Sequence, residues 1–383
     1  MTLTNSDIVE LTAFRRHLHR HPELSGQEAW TAAEVLAALQ PLHPDEIVTG
    51  LGGHGVAAVW NGVEAGPTVM FRSELDGLPI EELSDAEHTS TIPGRGHLCG
   101  HDGHSTILLG LGRLIARNRP AKGRVVLLFQ PAEEDGSGAA AVLADPRFEA
   151  IKPDWSFSLH NMPSLPFGQV AVQSGPVNCA SEGLRIVLSG KTSHASVPER
   201  GISPALAMAA LIPAAMAQGS GAAVVPGFRL VTVTHARMGE PAFGVAPSHA
   251  ELWLTLRTLL DSDMAALRST VMACAKAEAT THGLSVSFSH HDRFAACAND
   301  QQATAAFVRA LDCLGMSHDN RILPLRGSED FGLFGSVSKS AMIFLGSGID
   351  HPMLHNPDFD FPDNLIAPGV RIFETVLREH LGG

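Results

Sequence analysis

Three short apolar segments share one pattern: each reads as a buried strand, and each leads directly into residues that bind metals or move protons. The segments are 68–72, 124–129 and 155–159. Strands that are apolar on both faces are typical of parallel sheets covered by helices. Sites in such sheets form beyond the carboxyl ends of the strands. The pattern therefore predicts an α/β fold whose mixed, mostly parallel sheet gathers these residues at one edge.

The residues that follow the three segments are of the types that bind metal ions. Glu74 and Asp76 follow the first segment, Glu133 and Glu134 follow the second, and His160 ends the third. Carboxylates and imidazoles bind divalent ions, and a carboxylate that faces a metal-activated water can move its proton. An acidic surface loop is the simpler interpretation of the glutamate pair alone. The repetition of the pattern after three strands favours a site.

Residues 96–104 contain a thiol, three imidazoles and a carboxylate in nine positions. Cys99 and His101 are one residue apart, so both side chains can reach one ion, and a thiolate with an imidazole suits zinc or a neighbouring first-row metal. The alternatives are a polar loop or a buried cysteine that behaves as a small hydrophobe. A late histidine in segment 351–356 completes the candidate donors.

The character of the chain changes near residue 181. Strand and helix patterns then follow in the order strand, helix, strand, strand, helix, strand, which is the ferredoxin-like order. These elements are predicted at 183–188, 203–217, 229–234, 250–257, 261–281 and 284–289. We therefore expect an α+β domain over 181–294, inserted into a domain formed by 1–180 and 295–383.

Composition excludes several classes of protein. The chain has 383 residues, 44% of them hydrophobic, with 27 basic and 40 acidic side chains and a net charge of −13. This balance argues against nucleic acid or an anionic membrane as a partner. Five scattered cysteines do not form a disulfide pattern, and no secretory signal or membrane-spanning run is visible. We expect a cytoplasmic protein.

Eight segments, in order along nearly the whole chain, resemble motifs of the co-catalytic-metal aminoacylase and carboxypeptidase family. Within that family the match is to the branch of hippurate hydrolase and the auxin-conjugate amidohydrolases. The segments are 14–25, 72–80, 97–104, 129–134, 159–160, 190–195, 328–331 and 354–356.

The resemblance implies a two-metal site. Two divalent ions, zinc or manganese with cobalt or nickel also fitting, would share five ligands: Cys99, His101, Glu134, His160 and His355. Glu133 would be the general base and then the general acid. Asp76 would orient a ligand imidazole from outside the ligand set.

The resemblance also identifies 181–294 as a lid and dimerisation domain, and so implies a homodimer. His194 would stabilise the oxyanion, within its own subunit or across the dimer. Arg257 would pair with the substrate's carboxylate. A surface histidine and a solvated arginine are the simpler interpretations of these two residues.

Four positions depart from the family pattern. Glu74 replaces an aspartate, Thr192 and Ser193 replace two glycines, and Gly244 replaces an asparagine that helps to hold the substrate. Three of these positions lie in the substrate-recognising domain, whereas the metal ligands are intact. We expect retained hydrolysis with altered specificity.

The predicted function is metal-dependent hydrolysis of the amide bond in an N-acyl amino acid or a related small conjugate. A dipeptidase or aminopeptidase on the same scaffold is one alternative. A non-catalytic binding protein would require loss of Glu133 or a ligand, and none is lost. A hydrolase with Cys99 as nucleophile would survive chelation.

Overall fold

The computed structural model describes residues 2–383, and the chain separates into two compact units. The first unit contains the described part of Met1–Val177 together with Cys297–Leu323 and Asp330–Gly383. The second unit contains Asn178–Ala296 and Pro324–Glu329. The catalytic and lid roles expected for the two regions remain predictions.

The described residues form helices of seven to 21 residues and strands of two to 11 residues. The helices are α1 (Asn5–His19), α2 (Ala29–Leu39), α3 (His101–Arg117), α4 (Gly138–Ala144), α5 (Ala205–Met216), α6 (Asp261–Thr281), α7 (Gln301–Leu314) and α8 (Ile366–Leu381). The strands are β1 (Glu46–Leu51), β2 (Gly55–Asn61), β3 (Glu64–Glu74), β4 (Lys122–Gln130), β5 (Trp155–Pro163), β6 (Val170–Ala171), β7 (Gly175–Asn178), β8 (Ala180–Ser189), β9 (Ser193–His194), β10 (Arg229–Met238), β11 (Val245–Ala246), β12 (His249–Thr258), β13 (Ser285–Phe294), β14 (Cys297–Asn299), β15 (His318–Asp319) and β16 (Lys339–Gly348).

An eight-stranded mixed sheet organises the first unit, in the order β1-β2-β4-β3-β5-β16-β6-β15. The central strands β4, β3, β5 and β16 are parallel, as the apolar segments predict. Phe71 of β3 stacks on Phe157 of β5 and contacts Phe373 of α8, with ring centroids 5.7 Å and 5.0 Å apart. These rings are almost fully buried, so an apolar core between the sheet and α8 holds the central strands in place.

The second unit has the predicted ferredoxin-like arrangement. Its four-stranded sheet has the antiparallel order β10-β12-β8-β13, and α5 and α6 pack against it. In β8 the buried residues Leu184, Ile186 and Leu188 alternate with more exposed ones, which is the period of a half-buried strand. No helix among residues 2–383 is long and apolar enough to cross a membrane.

Helix α3 begins at His101, within the segment 96–104 that contains the thiol and imidazole side chains. The residue before it, Gly100, has φ of 95°, and a Cβ there would collide with Asn161 Oδ1. Only glycine adopts this turn without strain and without that collision. The turn places Cys99 two residues before His101, which is the first residue of the helix.

Candidate metal centre

The carboxyl ends of β4, β3 and β5 lie side by side in the sheet, so the residues after these strands meet although they are distant in sequence. Asp76 follows β3, Glu133 and Glu134 follow β4, and His160 lies near the end of β5. The N-terminus of α3 adds His101. The predicted gathering of donor groups at one edge of the sheet is therefore present.

Six side chains form three overlapping groups, and within each group the ligand atoms lie within 4.8 Å of one another. The groups are Cys99, His101 and His160; Cys99, Glu134 and His355; and His101, Glu133 and Glu134. The five predicted ligands and the predicted general base therefore lie close together, and we call these six side chains the ligand cluster.

The spacing of the donor atoms fits ions held between them. Cys99 Sγ lies 3.3 Å from His160 Nε2. The oxygens of Glu134 face different histidines: Oε1 lies 3.8 Å from His101 Nε2, and Oε2 lies 3.6 Å from His355 Nε2. Donors bound at metal-ligand distances around one tetrahedral ion lie roughly 3–4 Å apart. Glu134 would be able to bind an ion together with either histidine.

His101 has the hydrogen-bonding pattern of a metal ligand. Its Nδ1 donates to the backbone oxygen of Asp76 at 2.9 Å, whereas its buried Nε2 has no hydrogen-bond partner. Burial opposes a charge on the ring, but hydrogen bonding to Asp76 and the charges of Glu74 and Glu134 raise the pKa of His101 to about 10. The same carboxylates attract a cation, which would displace the proton from Nε2.

The other ligand candidates also match a metal site. Burial, with the charges of Glu134 and Glu133, raises the pKa of the Cys99 thiol well above its ordinary value, so a thiolate there requires a neighbouring cation. Burial lowers the pKa of His160 and of His355, which favours the neutral imidazoles that bind metals. His160 Nδ1 donates to the Asn161 backbone oxygen at 2.7 Å, and this leaves Nε2 facing Cys99.

Asp76 links the ligand cluster to the loop after β4. Besides holding His101, it accepts hydrogen bonds at Oδ2 from the Glu134 backbone N–H at 2.9 Å and from Ser25 Oγ at 2.7 Å. The carboxylate is fully buried. Asp76 is thus placed to orient two ligand candidates at once.

Glu74, the departure from the family's aspartate, lies in a buried polar network. Its carboxylate contacts the Arg72 guanidinium and accepts from His104 Nδ1 at 2.8 Å. Gln130 and Asp330 extend the network, with Arg72 Nη2 donating to Asp330 Oδ1 at 2.6 Å. Glu74 therefore binds the side chain of His104, next to the ligand cluster.

His194 and Arg257 belong to the second unit and are not members of this cluster. His194 is exposed, and its Nδ1 accepts a hydrogen bond from the Ser196 backbone N–H at 3.1 Å. Arg257 Nη1 donates to the Arg326 backbone oxygen at 2.9 Å and to Ser328 Oγ at 2.8 Å. The guanidinium has no carboxylate within 4 Å among residues 2–383, and burial lowers its pKa.

A buried ion network beside the start of α3 was not predicted from the sequence. Asp102, next to His101, accepts from His19 Nδ1 at 2.8 Å and from Arg15 Nη1 at 3.3 Å. His19 Nε2 lies 3.1 Å from Glu82 Oε1, and Arg15 Nη1 lies 2.5 Å from Asp360 Oδ1. Both nitrogens of His19 are therefore bound to carboxylates, so this histidine fixes α1 to α3 rather than binding a metal.

The His19 network predicts a loss of stability at alkaline pH. Burial opposes a charge on His19, but Asp102 and Glu82 raise its pKa from 6.5 to about 9. Because folding raises the pKa of His19, the charged ring stabilises the folded protein. This contribution to the free energy of unfolding is complete below pH 6.5 and is lost as the pH rises through about 9. Between pH 6.5 and 9.5, we expect wild type to lose on the order of 3 kcal/mol more free energy of unfolding than His19→Gln. Urea unfolding measures this difference.

The control for this prediction is His17→Gln, which changes a half-exposed histidine on the same helix. It should follow the wild-type pH dependence. Equal slopes for wild type and His19→Gln would show that His19 is not charged in the folded protein.

Comparison with known proteins confirms the family resemblance. The model of the family described as peptidase family M20/M25/M40 matches residues 70–379. The IAA-amino acid hydrolase ILR1-like 4 of Arabidopsis thaliana is 29% identical, over 97% of this chain and 86% of the relative. An N-acetyl-L-cysteine deacetylase of Bacillus subtilis is also 29% identical, over 96% of this chain and 88% of the relative.

A solved structure agrees in fold over the full length. The YXEP protein of Bacillus subtilis, described as a dinuclear metal-binding peptidase from the M20 family, superposes with a TM-score of 0.83. It is 26% identical, and the alignment covers 99% of each chain. Three findings support the same family assignment: the α/β fold with its ferredoxin-like second unit, the cluster of metal-binding side chains, and the similar proteins. The chain therefore belongs to peptidase family M20/M25/M40 and is a metal-dependent amidohydrolase of the branch that contains the auxin-conjugate hydrolases and N-acyl amino acid deacetylases.

Proposed function

We propose that the enzyme hydrolyses the amide bond of an N-acyl amino acid or a related amide conjugate and releases a carboxylic acid and an amino acid or amine. The observation that supports this most is the position of Glu133, a mostly buried carboxylate whose Oε2 lies 3.9 Å from His101 Nε2, within the ligand cluster. Relatives named for hydrolysis of IAA-amino acids and deacetylation of N-acetyl-L-cysteine support the substrate class.

The metal ions in this proposal are two zinc or two manganese ions; cobalt and nickel suit the same donors. They would be held by Cys99, His101, Glu134, His160 and His355. When bound, the ions lower the pKa of a shared water and polarise the substrate carbonyl. The unpartnered His101 Nε2 and the mixed thiol, imidazole and carboxylate donors support this assignment.

Glu133 would move the proton that amide hydrolysis requires. Its carboxylate accepts a proton from the attacking water as the C–O bond forms, and then delivers that proton to the nitrogen as the C–N bond breaks. Glu134, the next residue, also lies near His101 Nε2, but its second oxygen lies 3.6 Å from His355 Nε2. This additional histidine neighbour supports separate roles for the two adjacent glutamates, Glu134 as a ligand and Glu133 as the proton carrier.

His194 would hydrogen-bond the developing oxyanion. Because its Nδ1 accepts the N–H of Ser196, the neutral ring carries its proton on Nε2, which is the atom that can donate to an oxyanion. Arg257, a partly buried cation with no carboxylate within 4 Å in the described chain, would bind the carboxylate of the substrate.

Arg257→Ala is expected to raise KM for an N-acyl amino acid by about 10–100-fold, because a charge-assisted hydrogen bond contributes roughly 1.5–3 kcal/mol. The matching substrate whose carboxylate is converted to an amide should show little change in KM. Steady-state kinetics on the substrate pair measures the difference. Arg237→Ala, which removes an exposed arginine paired with Glu240, is the control. Equal KM changes for both substrates would contradict the assignment.

A homodimer formed through the second unit is part of the proposal. Strand β10 is an edge strand of its sheet, and Met238, Phe243 and Val245 expose apolar side chains nearby in the sequence. Unpaired edges and exposed apolar groups favour association. A cytoplasmic location also remains our prediction; it is supported by five cysteines that form no disulfide.

The substrate class is tested by comparing N-acylated and free peptides. Matched pairs such as N-acetyl and unblocked dipeptides, together with hippurate and IAA conjugates, are incubated with metal-loaded enzyme. We expect cleavage of the acylated amino acids and little cleavage of substrates with a free α-amino group. The reverse preference would identify a dipeptidase or aminopeptidase and would overturn the proposal.

A further inference from the structure

The loop that presents the two catalytic-site glutamates contains a strained residue. Ala132, immediately before Glu133, has φ of 52°, in the left-handed region that residues other than glycine seldom adopt. Such a conformation persists only where the surrounding structure enforces it. The residues that enforce it therefore also set the direction in which the chain enters Glu133 and Glu134.

The N–H of Ala132 is held by Glu28, a fully buried residue that precedes α2. Glu28 Oε1 accepts hydrogen bonds from the backbone N–H of Ala132 at 2.8 Å and of Gly26 at 2.9 Å. Its other oxygen, Oε2, is buried and has no hydrogen-bond partner. The contact with Ala132 joins residues 104 positions apart in sequence.

The carbonyl side of Ala132 is fixed as well. The backbone N–H of Gly138 donates to Ala132 O at 2.8 Å. A Cβ at residue 138 would overlap the Pro131 oxygen, so the chain packs closely on this loop. Ala132 is therefore bound on both of its backbone polar groups.

Asp76 makes the corresponding contact two residues later. It accepts the N–H of Glu134, and it is itself bound by Ser25 Oγ, three residues before Glu28. Two buried carboxylates, those of Glu28 and Asp76, thus accept hydrogen bonds from the backbone N–H groups on either side of Glu133. Segment 25–28 contributes to both contacts.

We propose that Glu28 is a positioning residue: its carboxylate holds Ala132 in the left-handed conformation that directs Glu133 to the reacting water and Glu134 to the metal ions. This inference rests on the proposed roles of Glu133 and Glu134. Without the Glu28 acceptor, Ala132 would relax toward negative φ, and both glutamates would rotate away from the cluster.

The test compares Glu28→Ala, Glu28→Gln and Glu28→Ala/Ala132→Gly, with Glu34→Ala on the same helix as control. Zinc affinity, measured by titrating zinc alone, should fall about 10–100-fold in Glu28→Ala, the range for residues that orient ligands. At saturating zinc, kcat should fall at least about tenfold while KM stays within about twofold. Glu34→Ala should match wild type in both measurements.

The two rescuing variants separate positioning from a general loss of structure. Glutamine keeps the Oε1 acceptor, so Glu28→Gln should stay within about threefold of wild type in both measurements. Glycine adopts positive φ without strain, so Ala132→Gly should restore most of the zinc affinity and kcat lost in Glu28→Ala. If Glu28→Ala does not fold, the folded Glu28→Gln and the double variant are each compared with wild type by the same criteria.

Wild-type zinc affinity and kcat in Glu28→Ala would overturn the proposal. Failure of both glutamine and Ala132→Gly to restore zinc affinity would overturn it too, because the loss would then have another origin. Zinc affinity needs no substrate, so it tests the positioning role even if amide hydrolysis is absent, which would overturn only the proposed function.

Discussion

Glu133→Gln is expected to lower kcat for amide hydrolysis by about 10²–10⁴-fold, the range contributed by a general acid-base group. Glutamine has nearly the same shape but cannot take a proton from water. The ligand side chains are unchanged, so two metal ions should still bind, and KM should change little. Steady-state kinetics and metal analysis of the same preparation measure both quantities.

The control for this variant is Asp135→Asn, which neutralises an exposed carboxylate two residues along the same loop. It should retain wild-type kcat. A Glu133→Gln enzyme with near wild-type kcat would remove Glu133 from the mechanism. Loss of metal together with activity would instead assign Glu133 to the ligand set.

Removing the thiol by Cys99→Ala is expected to abolish tight metal binding at one position or both, and to lower kcat/KM by at least about 100-fold at limiting zinc. Cys99 belongs to two of the donor groups, one with His101 and His160 and one with Glu134 and His355. Its loss therefore removes a donor that both positions can use. Zinc content after dialysis and kcat/KM across a zinc series measure the effect.

Cys297→Ala is the matched control, because Cys297 is another buried thiol of the first unit. It should keep two zinc ions and wild-type activity. A Cys99→Ala enzyme that retains both ions would show that the thiol is not a ligand. Activity lost in Cys99→Ala with both ions still bound would favour a cysteine nucleophile.

The sequence predicts much of the fold because its strongest patterns are local. The apolar segments around Phe71 and Phe157 form central parallel strands. Their apolar side chains are the signal in the sequence, and the same side chains are buried in the core of the folded protein. The alternating residues near Leu184 become a half-buried strand of a ferredoxin-like sheet. The donor cluster follows from the topology, because parallel strand ends meet at one edge.

Contacts between distant residues were beyond the reach of these patterns. Arg15 binds Asp102 across 87 residues, and Glu28 binds the backbone of Ala132 across 104 residues. In the sequence, Glu28 looks like any acidic residue near the start of a helix. Its partner is a backbone N–H, which every residue except proline has, so the partner cannot be identified from residue types. The start of α3 at His101 depends on Gly100, where the positive φ and the close approach of Asn161 of β5 each disfavour a side chain.

The residue proposed to bind the substrate is harder to predict from the sequence than the proposed metal ligands. Arg257 is distinguished by its surroundings: it is partly buried and has no carboxylate within 4 Å among residues 2–383. Its neighbours Arg326 and Ser328 are some 70 residues away in sequence. The effects of Thr192, Ser193 and Gly244 on specificity remain predictions for the substrate comparison.

Zinc titration of metal-free enzyme tests the two-metal mechanism most directly. Enzyme stripped by a chelator is titrated with zinc while bound metal and hydrolysis of an N-acyl amino acid are measured on the same samples. We predict no hydrolysis without metal and a plateau of activity at two zinc ions per chain. Full hydrolysis by metal-free enzyme would contradict the mechanism.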